Sequence, residues 1–261
     1  MNNTLHNGFR VLEYLAERGD AVTVKETAEY FQLPNSHICR LLKSLTEIGY
    51  VEQLADSRKY RVSLKILYLA NARLKKERLL ELARPYLRQL AEKLDAAVYI
   101  THIYCGYSLI IGVEYPPLFP AANEVAIGTL HSPTTSACGQ LCAAFSESEI
   151  QADLLEEIDW HAPGDFQDQR EKFIAELAAI RQRGYALRDL PEVGAAAVPL
   201  FKSGNIFNGA LGVMLPPARA RENRCWQSVI EAMTACGKLI SSAQGCAVEE
   251  YTTLGAKNGF C

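Results

Sequence analysis

The chain has 261 residues, a net charge of −3, 49% apolar and 22% charged residues, a globular composition with length enough for two ordinary domains. No run of about 18 apolar residues occurs, which excludes a membrane-spanning helix. The polar start MNNTLHNGFR lacks the apolar stretch of a secretory signal, so a cytoplasmic location is expected. A slightly acidic chain has no general attraction for nucleic acid, and any such role must come from local clustering of charge. The eight cysteines contain no Cys-x-x-Cys pair and no Cys/His cluster at zinc spacing. Reduced packing thiols are therefore expected, with no metal and no cofactor.

In chain order, Val11, Leu12 and Leu15 recur at helical spacing within Phe9 to Arg18, and Gly19-Asp20 stops that helix. Thr23 followed by Glu26 is a capping box for a second helix, which ends before Pro34. Asn35 or Ser36 is positioned to cap a third helix, with Ile38, Leu41, Leu42, Leu45 and Ile48 as its apolar stripe and Gly49 as its stop. Alternation on either side of Ala55-Asp56-Ser57-Arg58 predicts a β-hairpin from Tyr50 to Leu64. Helix is expected again from Ile66 to Leu94, with Pro85 opening a second segment and a basic stretch, Asn71 to Arg78, linking two domains.

A different composition begins near Ala96. Strands are expected at Ala97 to Tyr104 and Ser108 to Glu114 around a Cys105-Gly106-Tyr107 turn, and at Ala122 to Ile127. Helices follow at Ser136 to Phe145, Ser148 to Ile158 and Gln167 to Arg183. Strands at Ala195 to Lys202 and Phe207 to Leu215 flank Ser203-Gly204-Asn205, and a last helix covers Asn223 to Ser242.

Three short helices, a proline-marked turn and a basic hairpin, in that order, describe a winged helix-turn-helix. Such a motif places its second helix in the major groove of DNA. The first 62 residues carry eight acids and eight bases, so only their distribution is informative. Glu13, Glu17, Glu26 and Glu29 lie on the first two helices. Asn35, Ser36, His37, Arg40 and Lys43 are expected on the outer face of the third, and Thr23, at the start of the second, is a further expected DNA contact. Short hydrogen-bonding groups at a helix start suit phosphates or bases, and long cations further along suit both. Arg58, Lys59 and Arg61 at the hairpin would hold the DNA backbone.

On these residues the chain resembles the isocitrate lyase regulator (IclR) family of bacterial transcription factors. The similarity is carried by RVLEYLAE, ETAEYFQLPNSHICRLLKSLTEIGYVE and KYRVSLKILYLA, then by LARPYLRQLAEKL, IGTLHSPTTSACGQLCAAF, LAAIRQRGYA and AAAVPLFKSGNIFNGALGV. It implies an α+β protein: a winged helix-turn-helix (1–64), a linker helix (65–80), a GAF-like effector-binding and oligomerisation domain with a curved antiparallel sheet flanked by helices (81–245), and a tail (246–261). It also implies a homodimer, pairing into tetramers being left open, that binds double-stranded operator DNA as a repressor and is no enzyme. Carried over by position, Ser136, Ala137, Cys138, Val193, Ala195, Gly212 and Met214 would line the effector pocket. Arg40 matches the arginine usual in the family's recognition helix, whereas Thr134 and Gln140 stand where a histidine and a lysine are usual.

The loop SPTTSACGQ gives a separate physical reason to look at that pocket. Free backbone N–H groups and hydroxyls at a helix start favour a carboxylate, so the effector expected is a small organic or sugar acid. Plain helix capping accounts for the same residues. Cys138 with His102, His131 or His161 as a base has no local catalytic signature. A thiol redox sensor through Cys138 and Cys142, one turn apart, is the alternative function.

Overall fold

The computed structural model describes residues 3–119, 125–158, 166–189, 194–215 and 226–247. The chain divides into two compact units, Met1–Lys76 and Glu77–Cys261.

In the first unit, α1 (Asn3–Arg18), α2 (Val24–Phe31) and α3 (Asn35–Glu47) precede a hairpin of β1 (Val51–Gln53) and β2 (Tyr60–Val62), then α4 (Ile66–Leu74). Thr23 forms the expected capping box: its Oγ1 accepts from the Glu26 amide at 3.1 Å, and its own amide donates to Glu26 Oε2 at 2.6 Å. The hydrogen bond from the Thr23 amide is the main reason that the Glu26 carboxyl is held below its ordinary pKa. Gln32 turns the chain in a left-handed conformation, φ 53°, and the Leu33 amide closes the turn on the Ala28 carbonyl. The expected cap on α3 is absent. Pro34 occupies the N-cap position, and no side chain caps the helix. Val11, Leu15, Ile38, Leu42 and Val51 form the buried core, each large aliphatic side chain contributing about 1.5–3 kcal/mol. A backbone bridge from Val22 to Tyr60 ties the loop before α2 onto the hairpin.

The second unit begins with α5 (Arg78–Leu94), whose Glu77 side chain accepts from the Leu79 amide. The helix break therefore falls at Lys75–Glu77, and Pro85 sits inside α5 instead of opening a segment. The proline is tolerated there because Pro85 and Glu81, whose carbonyl loses its donor, both face solvent.

The sheet runs β5-β4-β3-β8-β7-β6, every neighbouring pair antiparallel. Its strands are β3 (Ala97–Tyr104), β4 (Tyr107–Glu114), β5 (Leu130–His131), β6 (Ala186–Asp189), β7 (Gly194–Lys202) and β8 (Ile206–Leu215). Cys105 and Gly106, φ 47° and 79°, make the tight β3–β4 turn, matching the twist of the two strands. Helices α5 and α9 (Trp226–Ala243) cover one face; α6 (Ala137–Phe145) covers the other, backed by α7 (Ser148–Glu157) and α8 (Phe166–Arg183).

Two strand expectations need correction. Residues 125–127 are not a strand: the Tyr115 hydroxyl takes over the ladder's role, accepting from the Val125 amide and donating to its carbonyl. The rest of that segment, Ala122 to Glu124, lies outside the described residues. Conversely, β6 was not expected, because four residues carry too little alternation to register.

Candidate nucleic-acid interface and sensor site

Helix α3 is held by Ile38, Leu41 and Leu42, which are 0%, 5% and 0% exposed, and this fixes which side faces outward. Asn35, Ser36, Arg40 and Lys43 are exposed on that side, together with Cys39. His37 departs from its expected place: it is half-buried, its Nε2 3.4 Å from Asn7 Nδ2 of α1. Because Pro34 offers no side-chain acceptor, the amides of Asn35 and Ser36 have no partner among the described residues. They form an uncapped helix start open to a phosphate.

The cations around α3 sort by partner. Lys25 pairs with Glu29, Arg61 with Glu52 at 2.5 Å, Arg10 lies over the Phe31 ring, and Lys65 donates to the Ile48 carbonyl beneath the Tyr50 ring. Lys59 is half-buried near Glu26. Arg40, Lys43 and Arg58 make no ion pair among the described residues. Arg58 sits at the hairpin tip in a left-handed conformation, φ 55°, fixed by its amide's bond to the Leu54 carbonyl. Arg61 is thus a weaker anchor than its sequence neighbours, and Thr23 keeps only its hydroxyl proton free to donate.

In the second unit, Ser136 caps α6, accepting from the Gly139 amide at 2.9 Å and donating to the Ser132 carbonyl at 3.2 Å. The Ala137 and Cys138 amides, at a start where both residues are at most 1% exposed, have no partner among the described residues. Ala195 and Met214 are cross-strand partners, and Tyr99 is the partner of Gly212. Glycine is required there: a Cβ at 212 would lie 2.4 Å from the Tyr99 ring and 2.6 Å from Cys138 Sγ. Ala137, Cys138 and Ala195 thus share one cluster with Tyr99, and Met214 packs against it. Ser136 stands at its rim, and Val193 lies outside the described residues.

Cys138 and Cys142 are fully buried, and burial pushes both thiols up, Cys142 to about 12. The Tyr99 hydroxyl, facing Cys138, is likewise raised by burial. A thiol that stays protonated and dry is a poor nucleophile and a poor sensor, so the redox alternative is not supported. Sequence reasoning missed Tyr99 and Arg188. The glycine opposite an aromatic on neighbouring strands marks the first; the second was hidden with β6.

A winged helix-turn-helix with free cations on its second motif helix, followed by a six-stranded sheet flanked by helices, defines a DNA-binding regulator with a separate sensor unit. Residues 4–55 match the IclR helix-turn-helix domain and residues 71–242 match the bacterial transcriptional regulator IclR C-terminal domain. The chain belongs to the IclR family of bacterial transcriptional regulators and is a DNA-binding transcriptional regulator. It is 24% identical over 235 residues to the HTH-type transcriptional regulator KdgR of Dickeya chrysanthemi, covering 87% of this chain and 75% of that one. An IclR family regulator from Brucella abortus superposes with a TM-score of 0.80 at 23% identity, over 93% and 92% of the two chains. An IclR homolog from Microbacterium hydrocarbonoxydans complexed with 4-hydroxybenzoate gives 0.70 at 19% identity, over 93% and 99%. No helix among the described residues is long and apolar enough to cross a membrane.

Proposed function

We propose that this regulator is a cytoplasmic homodimeric repressor that docks α3 in the major groove of its operator and releases it in response to a small organic acid. The observation that carries the DNA part is the set of cations with no ion pair among the described residues, Arg40, Lys43 and Arg58, beside the uncapped start of α3. Arg40 would read a base edge, Asn35 and Ser36 would receive a phosphate, and Arg58 would hold the backbone from the hairpin tip. Repression, and the absence of catalysis, follow the family resemblance.

A dimer is supported by the other end of the same helix. A cleft of about 420 Å³, lined by α1, α3 and α4, opens beside exposed Phe9, Ile48 and Leu69. Along α4, Leu67 and Tyr68 are 58% and 71% exposed, an apolar surface that a second copy would cover. The cleft's lining from Leu41 to Ile48 lies about 10–20 Å along the helix from the groove-entering end at Asn35. Two copies would then read half-sites about one helical turn apart, or a multiple of it.

For the effector, the α6 face with Ala137, Cys138, Ala195, Gly212 and Met214 is the pocket wall, and Ser136 its rim. The relative complexed with 4-hydroxybenzoate supports a small acid as the ligand class. An acid that prefers one arrangement of the sensor units shifts the population of DNA-binding dimers only by its differential affinity for the two arrangements. The test is a titration of purified protein on its own upstream DNA, wild type beside Arg40→Ala. Saturable binding that weakens about 5- to 150-fold in Arg40→Ala, the value of about 1–3 kcal/mol for one base contact, agrees with the reading. Absence of binding by the wild type at moderate salt contradicts it.

A further inference from the structure

Antiparallel pairing places directly opposite residues on one face of the sheet. Two such rows lie on the α6 side. One is Ala186–Ala197–Gly212–Tyr99, across β6, β7, β8 and β3; the next is Arg188–Ala195–Met214–Ala97. Both rows are built of small side chains except at three positions. Tyr99 fills the first row by lying on Gly212. Met214 stands in the second, and at its outer end is a single cation, Arg188.

Arg188 reaches the loop before α6, where one guanidinium nitrogen, Nη1, donates to the Thr134 carbonyl at 3.1 Å. Its Nε is buried and has no acceptor, and Arg188 makes no ion pair among the described residues. Guanidinium is always charged and carries five donors in a fixed fork. A partly buried fork without a counter-ion is costly, so an anion arriving beside it is strongly favoured. Three further polar groups of this region lack partners among the described residues: the Ala137 and Cys138 amides, three and four residues beyond Thr134, and Oε1 of Gln140, which is only 8% exposed. His131, half-buried edge-on to the Tyr99 ring, has its Nδ1 buried without a partner among the described residues.

We infer that Arg188 is the specificity-determining residue of the sensor site: its fork receives the carboxylate of a small acid whose body lies along the Ala195–Met214 row. The inference rests on the effector reading above and adds the group that distinguishes an acid from an uncharged analogue of the same shape. The Ala137 and Cys138 amides supply two more donors to the same anion, and Gln140 Oε1 is an acceptor for a hydroxyl on the ligand. A ligand held between β6 and the loop before α6 would bridge two elements that the Arg188 to Thr134 hydrogen bond already connects.

The test is thermal stabilisation of the full chain by lactate, gluconate and 4-hydroxybenzoate, each beside its uncharged primary amide. At ligand well above its Kd, at least one acid raises the melting temperature by a few degrees while its amide does not. In Arg188→Gln the rise disappears; in Arg188→Lys, which keeps the charge without the fork, a reduced rise persists. Ala195→Leu, which fills the row under the ligand body, abolishes the rise with Arg188 intact. Equal shifts by acid and amide, no shift by any acid, or a full shift surviving in Arg188→Gln would overturn the assignment. Titration of the same preparations on upstream DNA separates the two readings. Intact DNA binding with no acid-specific shift removes only the Arg188 assignment, whereas no DNA binding by the wild type removes the regulator reading itself.

Discussion

Among the described residues, the two units leave different polar groups without partners. In the first they lie at the surface: Arg40, Lys43 and Arg58, with the amides opening α3. In the second they lie inside: Arg188 Nε, Gln140 Oε1 and the amides opening α6. Exposed cations cost the fold little, because water and salt screen them, and they suit a long charged polymer that arrives from outside. Buried polar groups without partners cost the fold more and suit a small ligand that brings its own acceptors and donors. Both units contain a helix start with free amides. Depth decides which is fitted to a duplex and which to a small molecule.

The largest expected effect tests whether the units stand apart energetically. Leu42→Ala opens a cavity in the first unit's core and should cost about 2–5 kcal/mol there. It should lower DNA binding while leaving acid-induced stabilisation of the second unit in place, read by separate melting transitions. A single transition that falls as a whole would erase the distinction between the units. Gly212→Val drives a side chain into the Tyr99 ring and should cost about 1–3 kcal/mol in the second unit alone, checked by the same melting curves.

Smaller effects sharpen the picture. Thr23→Ala removes the capping box of α2 and should cost about 1 kcal/mol by chemical denaturation. The lowered pKa of Glu26 gives this box a pH signature. Its contribution is present above the ordinary glutamate pKa and is lost as pH falls through the lowered value, because the folded state then binds the proton. A wild-type advantage over Thr23→Ala that does not shrink in acid would contradict the geometry. Alkylation under native conditions should label Cys39 and Cys105, which are exposed, well ahead of Cys138 and Cys142. Rapid native labelling of Cys138 would reopen the thiol-sensor reading.

The first unit was legible in the sequence because its signals are local. The Thr23–Glu26 box, Pro34, the Ile38–Leu42 stripe and Gly49 each act within a few residues. What escaped were side-chain partners across elements: Asn7 drawing in His37, and Glu52 neutralising Arg61. In the second unit the strands depend on pairing far along the chain, as between Tyr99 and Gly212. Composition marks β3, β4, β7 and β8 by their length. It does not mark β6, whose four residues owe their strand geometry to β7, and Arg188 was lost with it. Pro85 misled in the same way: its helical setting is set by which carbonyl faces water, a property of the packed helix.

The most direct measurement is operator affinity as a function of salt for the wild type, Arg40→Ala and Arg58→Ala. Wild-type affinity should fall linearly in log–log form, and Arg58→Ala should weaken binding evenly across sequences while reducing the slope by about 1, as expected for one lost phosphate contact. Arg40→Ala should lose discrimination between operator and unrelated DNA. Slopes and discrimination unchanged in both variants would contradict the assignment of α3 and the hairpin tip as the DNA-reading surface.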